Sequence, residues 1–190
     1  MRRIALVGDI GSGKTFISKL FRYPFFNADL VVSNLYKKDK YLFRKIKKRF
    51  PNKVINFPLK KEELLKIIFQ NKKNLNTLGK IIHPIVRKKM KIFLKKNKKK
   101  KIVILDIPLL LENKINNKTY ILIFVQSKKS EMMKRLKKRK NFNQDLLNKF
   151  KKIQLPLDYK KKKSNFIIKN DFKKTTVKKY VKNIIRQILK

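Results

Sequence analysis

The chain has no cysteine, which excludes disulfides and thiolate metal sites. Glycine is almost as scarce, with four residues in 190, and alanine occurs only at positions 5 and 28. No apolar run approaches the roughly 20 residues needed to cross a bilayer. The N-terminus passes from Met1-Arg2-Arg3 straight into a strand-like run, without the apolar stretch and small-residue cleavage site of a signal peptide. A cytoplasmic location with no membrane partner is therefore expected. Acids are the third shortage, eleven Asp and Glu against 55 Lys and Arg, for a formal charge of +44. What remains is ample for a packed core: 42% of the residues are hydrophobic, and the length suits one domain or one core with small insertions.

A charge of this size invites a nucleic-acid reading, because basic surface is the footprint of phosphate-backbone binding. The kind of cation argues otherwise. Nearly all are lysine, with only nine arginines, and Asn, Ile and Phe are abundant too. These four abundant types have A/T-rich codons, whereas Ala, Gly and most Arg codons are G/C-rich. Base composition written into the surface accounts for the pattern, and no specific nucleic-acid partner is expected. RNA or membrane binding as a by-product of the charge stays open.

Three of the four glycines lie within eight residues, Gly8-Asp-Ile-Gly-Ser-Gly-Lys-Thr15. This is G-x-x-x-x-G-K-[ST], the P-loop that cradles the phosphates of a nucleoside triphosphate. Arg3 to Val7 reads as a buried parallel strand ahead of it, and Lys14 to Arg22 as a helix after it, closed by Pro24. That is the context the motif requires. Gly8, Gly11 and Gly13 allow successive N–H groups to line one anion-binding nest. Lys14 can reach the β- and γ-phosphates, and the Thr15 hydroxyl can ligate Mg²⁺.

Phe25 to Asp29 reads as a second short strand ending in an acid. Residues 30–97 show apolar positions at helical spacing, punctuated by Pro51, Pro58 and Pro84, and read as a mostly helical insertion. Ile102 to Leu105, Tyr120 to Val125 and Phe166 to Ile168 read as three further strands. Ser127 suits the N-cap of a helix running to about Arg139. Asn143 to Ile153 reads as a polar helix and Thr175 to Leu189 as a closing amphipathic one, while the lysine tracts at 95–101 and 160–163 fall at joints. Strands alternating with helices predict a parallel sheet covered on both faces, with ligands at the carboxyl ends of the strands. Gly8, Asp29 and Asp106 all fall at such ends.

Each acid has two readings. Asp29 is placed to accept a hydroxyl proton or hold metal through water, and equally to cap a helix starting at Leu30. Asp106 closes an apolar strand as a metal-supporting acid does, and also suits a turn before Pro108. Glu112 reads first as a surface helix acid. His83, the only histidine, reads as structural or as a ligand contact. Arg135 and Arg139, four apart, would share a helix face, either for bidentate phosphate contacts or as plain solvated charge.

Taken together, several separated pieces resemble the dephospho-coenzyme A kinase family: the Gly8–Thr15 loop, Asn27-Ala28-Asp29, Ile82-His83-Pro84-Ile85-Val86-Arg87, and Leu105-Asp-Ile-Pro-Leu-Leu-Leu-Glu112. Arg135-Leu-Lys-Lys-Arg139, Gln154-Leu-Pro156 and Phe166-Ile-Ile-Lys-Asn170 extend the resemblance over nearly the whole chain. It implies an α/β P-loop NTPase fold, a three-layer α/β/α arrangement with a parallel five-stranded sheet. The core would be 1–29, 98–126 and 164–190, with a helical acceptor-binding insertion at 30–97 and a helical lid at 127–163. It implies ATP and Mg²⁺, with dephospho-coenzyme A as acceptor of the phosphoryl group on its ribose 3′-hydroxyl. Gly8, Gly11, Ser12, Gly13, Lys14, Thr15, Phe16 and Arg139 would bind the nucleotide, Lys14 and Asp29 would be catalytic, and His83 and Arg87 would join Asp29 on the acceptor side. Thr15 and Asp106 would hold the metal.

The sequence departs from the family pattern at several points. Asp9 replaces the usual second glycine of the loop, Asn27 replaces the first acid of Asp-Ala-Asp, and Leu59-Lys60-Lys61 stands where Leu-Asp-Arg is usual. A lysine replaces the lid arginine before Gln154, and the family does not always have an acid at the place of Asp106. Two rivals remain: another small P-loop kinase acting on a nucleoside monophosphate or small alcohol, and a basic nucleic-acid-binding protein with a vestigial loop.

Overall fold

The computed structural model describes residues 1–113, 115, 119–140 and 142–190, and at position 72 the backbone alone. It divides into two compact units, Met1–Asn27 with Asn97–Lys190, and Ala28–Lys96.

The first unit is built on a five-stranded sheet of β1 (Arg2–Gly8), β2 (Phe25–Asn27), β3 (Ile102–Asp106), β4 (Tyr120–Gln126) and β5 (Phe166–Lys169). All pairings are parallel, in the order β2-β3-β1-β4-β5. The strands are short Ile-, Val- and Leu-rich runs, suited to a sheet buried on both faces. On one face Ile4, Leu6, Ile102, Ile104, Ile123, Val125 and Ile168 pack with α1 (Lys14–Leu20) and α9 (Lys174–Leu189). The alternate residues Ala5, Val7, Val103, Leu105, Leu122 and Phe124 are buried as well. Three further helices, α6 (Lys129–Lys137), α7 (Gln144–Lys152) and α8 (Leu157–Lys162), lie between β4 and β5 in sequence.

The second unit is all helical: α2 (Ala28–Lys38), α3 (Lys40–Arg49), α4 (Lys61–Gln70) and α5 (Lys72–Lys96). Its core joins Leu35, Leu42, Ile46, Val54, Leu59, Leu64, Ile67, Leu78 and Ile82. Asp39 caps α3, its Oδ1 accepting from the Leu42 N–H at 2.8 Å. The side chain thereby satisfies one of the donors a helix start leaves unpaired.

Four elements differ from the sequence reading. β2 stops at Asn27, so Asp29 lies in the first turn of α2 rather than on a strand. A carboxylate there is favoured by the helix dipole, and the helix begins too early for Asp29 to be its cap. The helical spacing from Leu75 to Leu94 is one helix, but Pro84 does not punctuate it and sits inside the 25-residue α5. A proline removes one N–H from the ladder, and burial of Leu78 and Ile82 before it and Met90 after it holds the helix together. Helix α6 begins after Lys128, so Ser127 is not its cap. Finally, α6 ends at Lys137, where a tight turn from the Arg139 N–H to the Leu136 carbonyl closes it. Arg135 and Arg139 therefore do not share one helix.

Candidate active site

The loop between β1 and α1 takes its shape from backbone that ordinary residues avoid. Gly8, Gly11 and Gly13 have φ of 144°, 84° and 92°. At Gly8 a Cβ would stand 2.6 Å from the Val125 carbonyl oxygen of the paired strand, and at Gly13 it would collide with the Asn170 side-chain amide. Gly13 is also the residue preceding α1, with no side chain to cap it, which leaves the first N–H groups of the helix for an anion.

Lys14 is buried, and its ammonium donates to the carbonyls of Gly8 at 3.1 Å and Asp9 at 2.6 Å. It thus lies across the loop. Asp9, the unexpected acid, turns its carboxylate onto its own chain: Oδ1 accepts from the Ile10 N–H at 2.6 Å. The carbonyl of Ser12 receives two donors from distant segments, the Asn170 amide at 2.8 Å and the Ser127 hydroxyl at 3.0 Å. Ser127 therefore braces the loop instead of capping α6. The Ser12 side chain is buried and its hydroxyl has no hydrogen-bond partner among the described residues.

Asp106 ends β3 directly opposite Asn27 in the sheet and is 2% exposed. One carboxylate oxygen accepts from the Thr15 hydroxyl at 2.6 Å and from the Asn27 amide at 2.8 Å. A short charge-assisted bond links the first turn of α1 to the end of the neighbouring strand. Hydroxyl and carboxylate oxygens so close together are hard donors of the kind Mg²⁺ prefers, and few protein ligands suffice where phosphates complete its shell. No cluster of three or more His, Asp or Glu occurs among the described residues.

Phe172 has no counterpart in the sequence reading. Its φ is +64°, unusual for a bulky residue. Asn170 holds it there, Oδ1 accepting from the Phe172 N–H at 2.9 Å while the amide binds Ser12. The Arg135 guanidinium stacks over the Phe172 ring, 4.2 Å from its centroid. Such an arrangement is tertiary, and nothing local in the sequence signals it. Phe16 and Arg139 are exposed, Phe16 on α1 and Arg139 just past α6.

The second unit carries Asp29, His83 and Arg87. Asp29 is exposed in the first turn of α2. His83 lies on α5 with its ring against Gly79, where a Cβ would stand 3.3 Å from Cε1, so the fourth glycine makes room for the imidazole. Burial pushes the pKa of His83 below the usual imidazole range, and the neighbouring Arg87 guanidinium lowers it further. The unfolded chain then binds a proton before the folded one does as pH falls. This contribution to stability is complete above the unfolded pKa of about 6.5 and lost below it, down through the folded value. In chemical denaturation, His83→Asn should flatten the fall in stability between pH 7 and pH 5; an unchanged slope would mean that His83 is not the group responsible.

A parallel sheet in this order, with a phosphate loop after β1 and a threonine–aspartate pair at its edge, defines a P-loop kinase. The sequence profile of the family described as dephospho-CoA kinase matches residues 2–176. The dephospho-CoA kinase of Wolbachia pipientis wMel is 34% identical over 96% of this chain and 95% of its own length. That of Bartonella quintana is 32% identical over the full length of both. Among solved structures, a dephospho-CoA kinase from Campylobacter jejuni superposes with a TM-score of 0.67 at 21% identity, covering 98% of this chain and 96% of its own. A Thermus thermophilus protein reaches 0.80 at 22% identity, over 100% and 98%. The chain belongs to the dephospho-CoA kinase family: it is a phosphotransferase of the last step of coenzyme A biosynthesis, with ATP and dephospho-CoA as substrates.

Proposed function

We propose that the chain moves the γ-phosphoryl group of ATP to the ribose 3′-hydroxyl of dephospho-CoA, releasing ADP and coenzyme A, through the residues assembled at the phosphate loop. The observation that carries this reading is the Thr15–Asp106 hydrogen bond of 2.6 Å beside Lys14. Lys14 leaves the carbonyls of Gly8 and Asp9 for the β- and γ-phosphates and neutralises charge there. Gly8, Gly11, Ser12 and Gly13 shape the loop, and the Arg135–Phe172 stack offers a flat surface for the base. Thr15 and Asp106 would hold Mg²⁺, which would supply positive charge to offset that of the phosphates. Asp29 accepts the proton of the attacking hydroxyl, with His83 and Arg87 on the acceptor side. Residues 30–97 bind the acceptor. Residues 127–163 act as a lid that brings Arg139 over the phosphates and excludes water. Phe16 remains a candidate nucleotide contact. The enzyme is cytoplasmic in this reading; no described helix is long and apolar enough to cross a membrane.

Measuring ADP release from ATP–Mg²⁺ with dephospho-CoA, AMP, CMP and shikimate tests the proposal. Turnover is expected with dephospho-CoA, and turnover with AMP instead would overturn it. Asp106→Asn should raise the Mg²⁺ concentration for half-maximal turnover by about 10- to 100-fold, as loss of a metal-supporting carboxylate does. A superimposable Mg²⁺ titration would leave Asp106 a purely structural partner of Thr15 and Asn27.

A further inference from the structure

Glu112 and Lys160 form an ion pair at 2.6 Å with side chains only 9% and 2% exposed. Glu112 belongs to the segment after β3, and Lys160 to α8. The same glutamate oxygen accepts from the Leu155 N–H at 3.1 Å, just before α8 begins. In a chain most of whose lysines crowd the surface, burying one against a scarce acid is a choice that solubility does not explain. Breaking a buried pair is strongly destabilising, yet apolar residues of similar volume usually serve stability as well. A requirement for position accounts for keeping the charges.

What the pair positions is visible in its neighbours. Helix α8 packs on β1, the strand that leads into the phosphate loop. The next lysine along α8, Lys161, lines with Asp158 a cavity of about 220 Å³ whose other wall includes Asp9, Gln126 and Ser127. Asp9 is the second residue of the loop, and Ser127 is one of the two groups fixing the Ser12 carbonyl.

We propose that Glu112 and Lys160 are positioning residues for phosphoryl transfer: their buried pair fixes α8, the end of the proposed lid, as the base on which the rest of the lid closes, and places Lys161 in the same cavity wall as Asp9. The inference rests on the kinase reading above. With the pair intact, the base of the lid holds its place while the rest closes over the phosphates, and Lys161 balances the acid that the loop carries.

The test separates position from stability. Glu112→Leu and Lys160→Met are made singly and together, and thermal unfolding is compared with two rates, dephospho-CoA phosphorylation and ATP hydrolysis without acceptor. Each single variant should be destabilised, and the double variant should recover the melting temperature of the parent. In the double variant the ratio of hydrolysis to transfer should still rise about tenfold, as when water is no longer excluded from a transfer site. Lys161→Gln, which leaves the pair intact, should raise the KM for ATP with little change in kcat. A double variant with the parent's stability, ratio and KM would overturn the proposal and leave the pair structural. Should the parent itself fail to phosphorylate dephospho-CoA, the kinase reading fails, and that result is distinct from the first.

Discussion

Asp29→Asn should lower the rate of dephospho-CoA phosphorylation by about 10²- to 10⁴-fold, the usual share of a general base, and should leave ATP binding essentially unchanged. The amide matches the carboxylate in size and can still accept a hydrogen bond, but it cannot take a proton. Asp29 sits in the first turn of α2, exposed, two residues past the end of β2. The substitution removes no buried contact from the core of the helical unit. Part of its structural share is the helix-dipole term, about 0.3–1 kcal/mol. Steady-state kinetics and a nucleotide-binding titration on the same preparation separate the two roles. A kcat equal to the parent's, with a small loss of stability, would reduce Asp29 to a favourable first-turn acid.

The second large effect is expected at Gly13. Gly13→Ala puts a Cβ where φ is 92° and where the Asn170 amide already stands. Left-handed backbone at a non-glycine residue costs about 1–3 kcal/mol. Displacing Asn170 also releases one of the two donors on the Ser12 carbonyl and the acceptor that holds Phe172. Nucleotide binding should weaken by more than tenfold, because loop, brace and aromatic ring all move together, and the melting temperature should fall. A titration with ATP–Mg²⁺ showing affinity near the parent's would mean that the loop tolerates the change by shifting Asn170 alone.

What the sequence made legible is local. The strand–loop–helix around Gly8 to Thr15 could be read because the motif and its flanking apolar runs are contiguous. The five parallel strands could be read because each is a short apolar run between helical stretches. The boundary at Asn27 was missed because Asn27 is held by a residue on another strand, Asp106, and no neighbouring residue reports this. Pro84 misleads for the same kind of reason: local propensity favours a break, and packing on both sides of it prevails. Ser127 has the chemistry of a cap, but a carbonyl in the phosphate loop competes for its hydroxyl. Glu112 reads as a surface acid because its partner, Lys160, lies in a lysine tract that looks uniformly solvated. In a chain this rich in lysine, composition hides a cation that the interior uses.

The convergence on the Ser12 carbonyl has a consequence for the order in which the protein is made. Ser12 is synthesised before both of its donors, Ser127 and Asn170, which are 115 and 158 residues further along. Contacts of such separation form late, because the intervening chain must first be ordered. On the ribosome, the phosphate loop therefore leaves the exit tunnel long before it can hold its working shape. A nascent chain that ends before β5 has the whole motif but lacks Asn170, one of the two donors on the Ser12 carbonyl, so the loop is fully braced only once β5 and Asn170 have been made.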